Sequence, residues 1–167
     1  ADAEAKVPPI HRRQSYLLSA EEKGIEIVAW TMRGAYYGIV SLLTMMNVEK
    51  KHKNQLLLVP AALIQDWPQF EIRGLVDDIS RGQRPTMDNF KFFIRYLSLT
   101  KQNILVLYIE DIFHWESHPD IGKGRGPLTK ADIKELEAYA KEWFVNIVPG
   151  VEMLGHMDNV LTDPQYR

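Results

Sequence analysis

Cysteine is absent from the 167 residues, so neither a disulfide nor a thiolate metal site is available to this chain. Long apolar runs are absent too. The longest candidate, Ala35 to Met46, is too short to span a bilayer and is interrupted by tyrosines and a serine. Charge of one sign is scarce: the formal net charge is -2 and the basic residues are scattered, which gives no electrostatic reason to expect nucleic acid or an anionic membrane as partner. The one dense basic run, Lys50-Lys51-His52-Lys53, reads as a solvated loop after a helix. No Gly-x-Ser-x-Gly elbow is present to expose a nucleophilic serine. The opening Ala1-Asp2-Ala3-Glu4-Ala5-Lys6 lacks the apolar centre of a signal peptide, which suits a trimmed N-terminus and equally a cytoplasmic one. What remains, 46% hydrophobic and 25% charged residues, is ordinary globular composition.

Two regions differ in rhythm. In the first, 1–66, Ile25-Glu26-Ile27-Val28-Ala29-Trp30 follows a Gly-containing turn and reads as a strand. Thr31 can cap a helix on which Ala35, Ile39, Leu42, Leu43 and Met46 recur at helical spacing. Gly34 and Gly38, four apart, permit this helix to pack closely on a sheet. Leu56 to Val59 and Ala62 to Gln65 read as two short strands, completing a small α/β layer.

After Asp66-Trp67-Pro68 the order becomes strand, helix, strand, helix, strand. The strands are Leu75 to Ile79, Ile104 to Ile109 and Val145 to Val148. The first helix follows Thr86 with Phe90, Phe93, Ile94 and Leu97 on one stripe, and the second follows Thr129 with Ile133, Leu136, Ala140 and Trp143 on another. Alternating elements of this kind imply a parallel sheet with right-handed crossovers. A doubly wound sheet and a (β/α)8 barrel begin alike. No glycine-rich phosphate turn follows the first strand, and Gly122-Lys123-Gly124-Arg125-Gly126 does not directly join a strand to a helix, so the pattern favours the barrel.

Polar residues gather where a parallel fold places its active site, at the carboxyl ends of successive strands: Asp78, then Glu110 and Asp111, then Glu152 and His156. Glu110 and Asp111 are adjacent, so at most one of them points to a given face; a cap or solvated loop is the competing reading for both. His156 after Gly155 is by itself as well explained by a hydrogen-bonded loop. His114-Trp115-Glu116-Ser117-His118 offers three metal-capable side chains without a fourth at a telling spacing, and an irregular loop is the better reading. Trp115 and Phe113 could stack on a sugar ring, with ordinary packing as the alternative.

The run Arg73-Gly74-Leu75-Val76-Asp77-Asp78-Ile79-Ser80-Arg81 resembles the Arg-Gly-apolar-apolar-x-Asp-apolar-Ser-Arg opening of the catalytic barrel in the β-N-acetylhexosaminidases of glycoside hydrolase family 20. Gly34-Ala35-Tyr36-Tyr37-Gly38 resembles a segment of the small α/β domain that precedes that barrel. Val148, Pro149, Val151, Met153, Gly155 and His156 match positions of the family's Val-Pro-Glu-Ile-Asp-Met-Pro-Gly-His strand. The shared order and spacing carry the resemblance. Departures exist: Tyr108 stands where many members have histidine, Gly150 replaces glutamate, Glu152 replaces aspartate and Leu154 replaces proline, as in a divergent branch.

The resemblance implies a small α/β domain over 1–66 followed by the first three βα units of a TIM-type barrel over 67–167, the N-terminal portion of a glycosidase. It implies cleavage of terminal N-acetyl-hexosamine residues by retaining catalysis assisted by the substrate's 2-acetamido group, without a cofactor. Arg73 is expected to bind sugar hydroxyls, with Asp78, Glu110, Glu152 and Trp115 also lining the substrate, and His156 and Asp111 to support the general acid. The family's Asp-Glu catalytic pair is expected on a later strand, so this chain alone is expected to be inactive. A periplasmic or secreted setting follows from the resemblance alone. The rival reading is a non-catalytic carbohydrate-binding module that reuses the fold.

Overall fold

The computed structural model describes residues 7–48 and 58–167, which fall into two compact units, Ala1–Glu71 and Ile72–Arg167. The basic run 50–53 and the first part of the strand expected at Leu56 to Val59 lie outside the described residues.

In the first unit, strands β1 (Tyr16–Glu21), β2 (Gly24–Ala29) and β3 (Ala62–Asp66) form an antiparallel sheet of order β2-β1-β3, with helix α1 (Met32–Val48) between β2 and β3. The central strand β1 is the one that the sequence reading left unassigned. Tyr16, Leu18 and Ala20 of β1 are buried, but Leu17 interrupts the polar side of the alternation and blurs the period of two. Thr31 accepts a hydrogen bond from the Gly34 amide at the start of α1, as a capping residue does. Gly38 is a packing requirement: a Cβ there would sit 2.6 Å from Ile27 Cγ2 on the sheet. Leu18 and Tyr37 close the small core.

In the second unit, β4 (Gly74–Asp78), β5 (Ile104–Tyr108) and β6 (Asn146–Gly150) run parallel in the order β4-β5-β6. Helices α2 (Met87–Leu99) and α3 (Lys130–Glu142) make the two crossovers, and a short α4 (Asp158–Leu161) follows β6. Thr86 caps α2, and Thr129 with Asp132 forms a reciprocal capping box on α3. Pro149 is tolerated within β6 because that strand is paired on one side in this sheet.

The core lies on one face of the sheet. Phe90, Ile94 and Leu97 of α2 and Leu136 and Ala140 of α3 pack with Leu105, Leu107 and Ile79. Each fully buried large side chain contributes about 1.5–3 kcal/mol relative to exposure. Residues in register with one another share a face, so Val76, Val106 and Val148 lie together on the opposite side, where Val76 is 62% exposed. A parallel sheet is ordinarily covered on both faces; here Val106 and Val148 on the face away from the helices are partly buried, and Val76 stands exposed.

Candidate functional site

Of the polar residues expected beyond the carboxyl ends of β4, β5 and β6, Glu110 and His156 line one cleft of about 440 Å3, together with Arg81, Arg125 and Asn159. The ladder extends past the strands to hold their ends level: Ile79 donates to the Tyr108 carbonyl at 3.2 Å and Ile109 to the Gly150 carbonyl at 2.9 Å. Asp78, the last residue of β4, accepts from the Ser80 hydroxyl at 2.6 Å and the Ser80 amide at 3.0 Å. The Ser80 hydroxyl bond leads the causes that hold the Asp78 carboxyl below its ordinary pKa, helped by the charge of Arg81.

Arg81 is the central cation. Its Nη1 donates to Glu110 Oε1 at 2.6 Å and to the Ser80 hydroxyl, and its guanidinium lies over the Tyr108 ring. Glu110 supplies a carboxylate that is only 4% exposed, against 51% for Arg81. Bonding to that carboxylate raises the Arg81 pKa further. His156 Nδ1 lies 3.8 Å from the same Glu110 oxygen, an ion pair whenever the imidazole is protonated, and its ring meets the Tyr108 ring edge-on. Partial desolvation, together with the carboxylates of Glu152 and Glu110, raises the Tyr108 phenol above its ordinary pKa. Glu152 thus reaches the cluster through Tyr108.

Two non-glycine residues of this cluster, Glu110 (φ 46°) and His156 (φ 53°), adopt the left-handed backbone conformation. That conformation costs about 1 kcal/mol or more for an ordinary residue and concentrates at functional sites. Asp111, next to Glu110, turns the other way. Its buried carboxylate receives Arg125 Nη1 on both oxygens and the Asn159 amide at 3.3 Å.

Three expected placements change. Arg73 precedes β4, and its Nε donates to the Lys101 carbonyl at 3.0 Å, just ahead of β5. It therefore stands at the amino edge of the sheet, roughly 16 Å of strand from the cleft, and Arg81 occupies the place expected for it. The acid facing His156 is Glu110, not Asp111, because the left-handed turn at Glu110 sends the two neighbours apart. Trp115 packs edge-on against Phe113 at 4.8 Å and lines an apolar groove with Leu107, Ile147 and Ile133 on the helix-bearing side of the sheet, away from the cleft. Among the described residues no group of three or more His, Asp or Glu side chains could hold a metal, and no helix is long and apolar enough to cross a membrane. Arg81 was legible as the last residue of the opening motif; Arg125 and Asn159 carried no signal beyond the glycine-rich run around the former.

Residues 4–67 match glycosyl hydrolase family 20, domain 2, and residues 70–166 match the catalytic domain of the same family. The chain belongs to glycosyl hydrolase family 20. A β-hexosaminidase of Porphyromonas gingivalis is 26% identical over 164 residues, covering 87% of this chain and 21% of the relative. One of Vibrio furnissii is 28% identical, covering 93% and 29%. Among solved structures, the chitobiase of Flavobacterium johnsoniae superposes with a TM-score of 0.78 at 28% identity, over 89% of this chain and 23% of that one. The Streptomyces plicatus N-acetyl-β-hexosaminidase, in complex with Thio-NAglucal, gives 0.77 at 28%, over 93% and 34%. The chain thus spans between a fifth and about a third of the length of these relatives.

Proposed function

We propose that this chain is the N-terminal portion of a family 20 glycosidase that removes terminal N-acetyl-hexosamine residues, and that it forms one wall of the sugar pocket. The observation that carries the reading is the meeting of Asp78, Arg81, Glu110 and His156 at the carboxyl ends of three adjacent parallel strands, the edge at which barrel enzymes work. The exposure of Val76 on the face of the β4-β5-β6 sheet away from the helices supports the same reading, since closing a barrel over that face would bury it.

Each residue then has a task. The Arg81 guanidinium donates to hydroxyls of the terminal sugar, as a planar fork does well. Glu110 and Asp78 hold that guanidinium in place. His156, resting on Tyr108 and facing Glu110, belongs to the charged network around the general acid. Catalysis is retaining and substrate-assisted: the 2-acetamido oxygen attacks the anomeric carbon, the acid protonates the leaving oxygen, and water then opens the cyclic intermediate. This departs from glycosidases in which an enzyme carboxylate is the nucleophile. The acid and its acetamide-orienting partner come from later strands, so the 167 residues alone do not turn over substrate.

Assaying the isolated chain beside the complete protein that contains it, on an aryl N-acetyl-glucosaminide, tests the proposal. Turnover by the complete protein and none by the chain is expected. Turnover by the chain alone overturns the division of the site; saturable sugar binding with no hydrolysis by the complete protein favours a binding module instead.

A further inference from the structure

The run Gly122-Lys123-Gly124-Arg125-Gly126 has no part in the sugar chemistry above, yet its backbone is unusual. Gly122, Gly124 and Gly126 have φ of 71°, 77° and 70°, a conformation that side chains disfavour. At Gly122 a Cβ would stand 2.2 Å from the Asp111 carbonyl oxygen, so the loop is pressed against the segment that follows β5. The outcome is the placement of one side chain. Arg125 Nη1 bridges both oxygens of the buried Asp111 carboxylate, and Nη2 donates to the Ser80 carbonyl at 2.6 Å. Asn159, in α4, reaches the same carboxylate. One guanidinium thus ties the segment after β4 to the segment after β5, with α4 joined to the same anchor.

These anchors flank the strained residue. Ile112 donates to the Ile109 carbonyl at 2.8 Å, closing a tight turn with Glu110 and Asp111 at its centre. With Asp111 fixed on Arg125, Glu110 is directed to Arg81 and His156. Ser80, whose carbonyl Arg125 holds, is also the residue whose hydroxyl receives Arg81 Nη1.

We infer that Arg125 is a positioning residue: acting through Asp111 and Ser80, it holds Glu110 in its left-handed turn and so sets the orientation of Arg81 and His156 in the cleft. The three glycines exist to bring it there. The functional part of this inference rests on the glycosidase reading; the conformational part does not.

The test is a double-mutant cycle in the complete protein: R125Q, E110Q and the two together, with R125K as the conservative variant. Turnover of an aryl N-acetyl-glucosaminide and thermal unfolding are measured for each, and the backbone of residues 109–112 is determined in R125Q and R125K by crystallography. R125Q should lower kcat/KM about tenfold or more, and in the E110Q background the same change should cost less than about threefold, since both act through one residue. R125K should recover part of the loss and keep φ positive at Glu110, whereas R125Q should release it. An equal loss in both backgrounds, or a Glu110 turn unchanged in R125Q, overturns the inference. Should R125Q fail to fold, the cycle run with R125K decides by the same criterion of additivity. A complete protein that hydrolyses no N-acetyl-hexosaminide overturns the glycosidase reading, while the backbone at Glu110 in the variants still decides the role of Arg125.

Discussion

Two arginines eight positions apart in the opening motif invite a direct contrast, because they sit at opposite edges of the parallel sheet. At Arg81 the informative substitution is lysine. Removing the charge altogether would take from Glu110, at 4% exposure, its one close cationic partner among the described residues and confuse folding with function. Lysine keeps a cation beside Glu110 but loses the fork. Nη1 is already committed to Glu110 and Ser80, so recognition of a sugar falls to the remainder of the planar group, which an ammonium lacks. Losing one or two charge-assisted bonds to substrate corresponds to about tenfold to a hundredfold in kcat/KM. Arg73→Gln, by contrast, removes the donors held by the Lys101 carbonyl, worth about 1–2 kcal/mol of stability, and should leave kcat/KM within about threefold. Steady-state kinetics of the complete protein with an aryl N-acetyl-glucosaminide, alongside thermal unfolding, separates the two. The reasoning is refuted by the reverse pattern, in which R73Q abolishes turnover at unchanged stability while R81K remains near the parent.

Further expectations concern single sites. Asp77 lies on the helix-facing side of β4 with Oδ2 shut from water and without a hydrogen-bond partner among the described residues, and burial, then the charge of Asp78, raises its pKa. A raised folded pKa means that stability is fullest below about pH 3.9, the unfolded value, and declines as pH rises through the folded one. Asp77→Asn should therefore stabilise the protein at pH 7 by a few tenths to about 1 kcal/mol, limited by partial exposure, and not at pH 3; denaturant melts giving equal gains at both pH values would contradict this. Thr129→Ala removes the N-cap of α3 and should cost about 1 kcal/mol. Of the causes that lower the Asp132 pKa, the leading one, the Thr129 amide, survives in alanine while the hydroxyl bond is lost; the acid limb of the stability profile should therefore be blunted in part, that contribution being present at neutral pH and lost as pH falls through the lowered value. Trp115→Leu should leave kcat/KM within about threefold, since Trp115 faces the apolar groove; a loss of tenfold would return it to the sugar site.

Elements with a strong period were legible from the residues. The stripes Phe90-Ile94-Leu97 and Leu136-Ala140 gave α2 and α3, and the apolar run from Ile104 gave β5. Threonine before an apolar stripe marked three helix starts through its capping bond. Strand β1 escaped because Leu17 lies among residues that should alternate. In the site, the edge of the sheet was legible and the individual side chains were not. Arg73 and Arg81 bracket one five-residue strand, so choosing between them requires knowing which end of β4 each occupies. Glu110 and Asp111 were divided by a left-handed φ at glutamate, which local preference opposes and surrounding contacts impose. Arg125 depends on three successive glycine conformations in a loop, and no hydrophobic period encodes those.

The bare edges of the β4-β5-β6 sheet bear on how such a protein is made. Among the described residues, both outer strands leave rows of backbone amides and carbonyls with no neighbour in the sheet, and Val76 stands exposed on the face away from the helices. Edges of this kind are templates for another strand, from the same chain or from a different one. On a ribosome, this segment would precede any later strands by seconds at ordinary rates of synthesis. During that interval it is a surface for chaperones to shield, and expression of the segment alone is the condition under which aggregation should compete most strongly with folding.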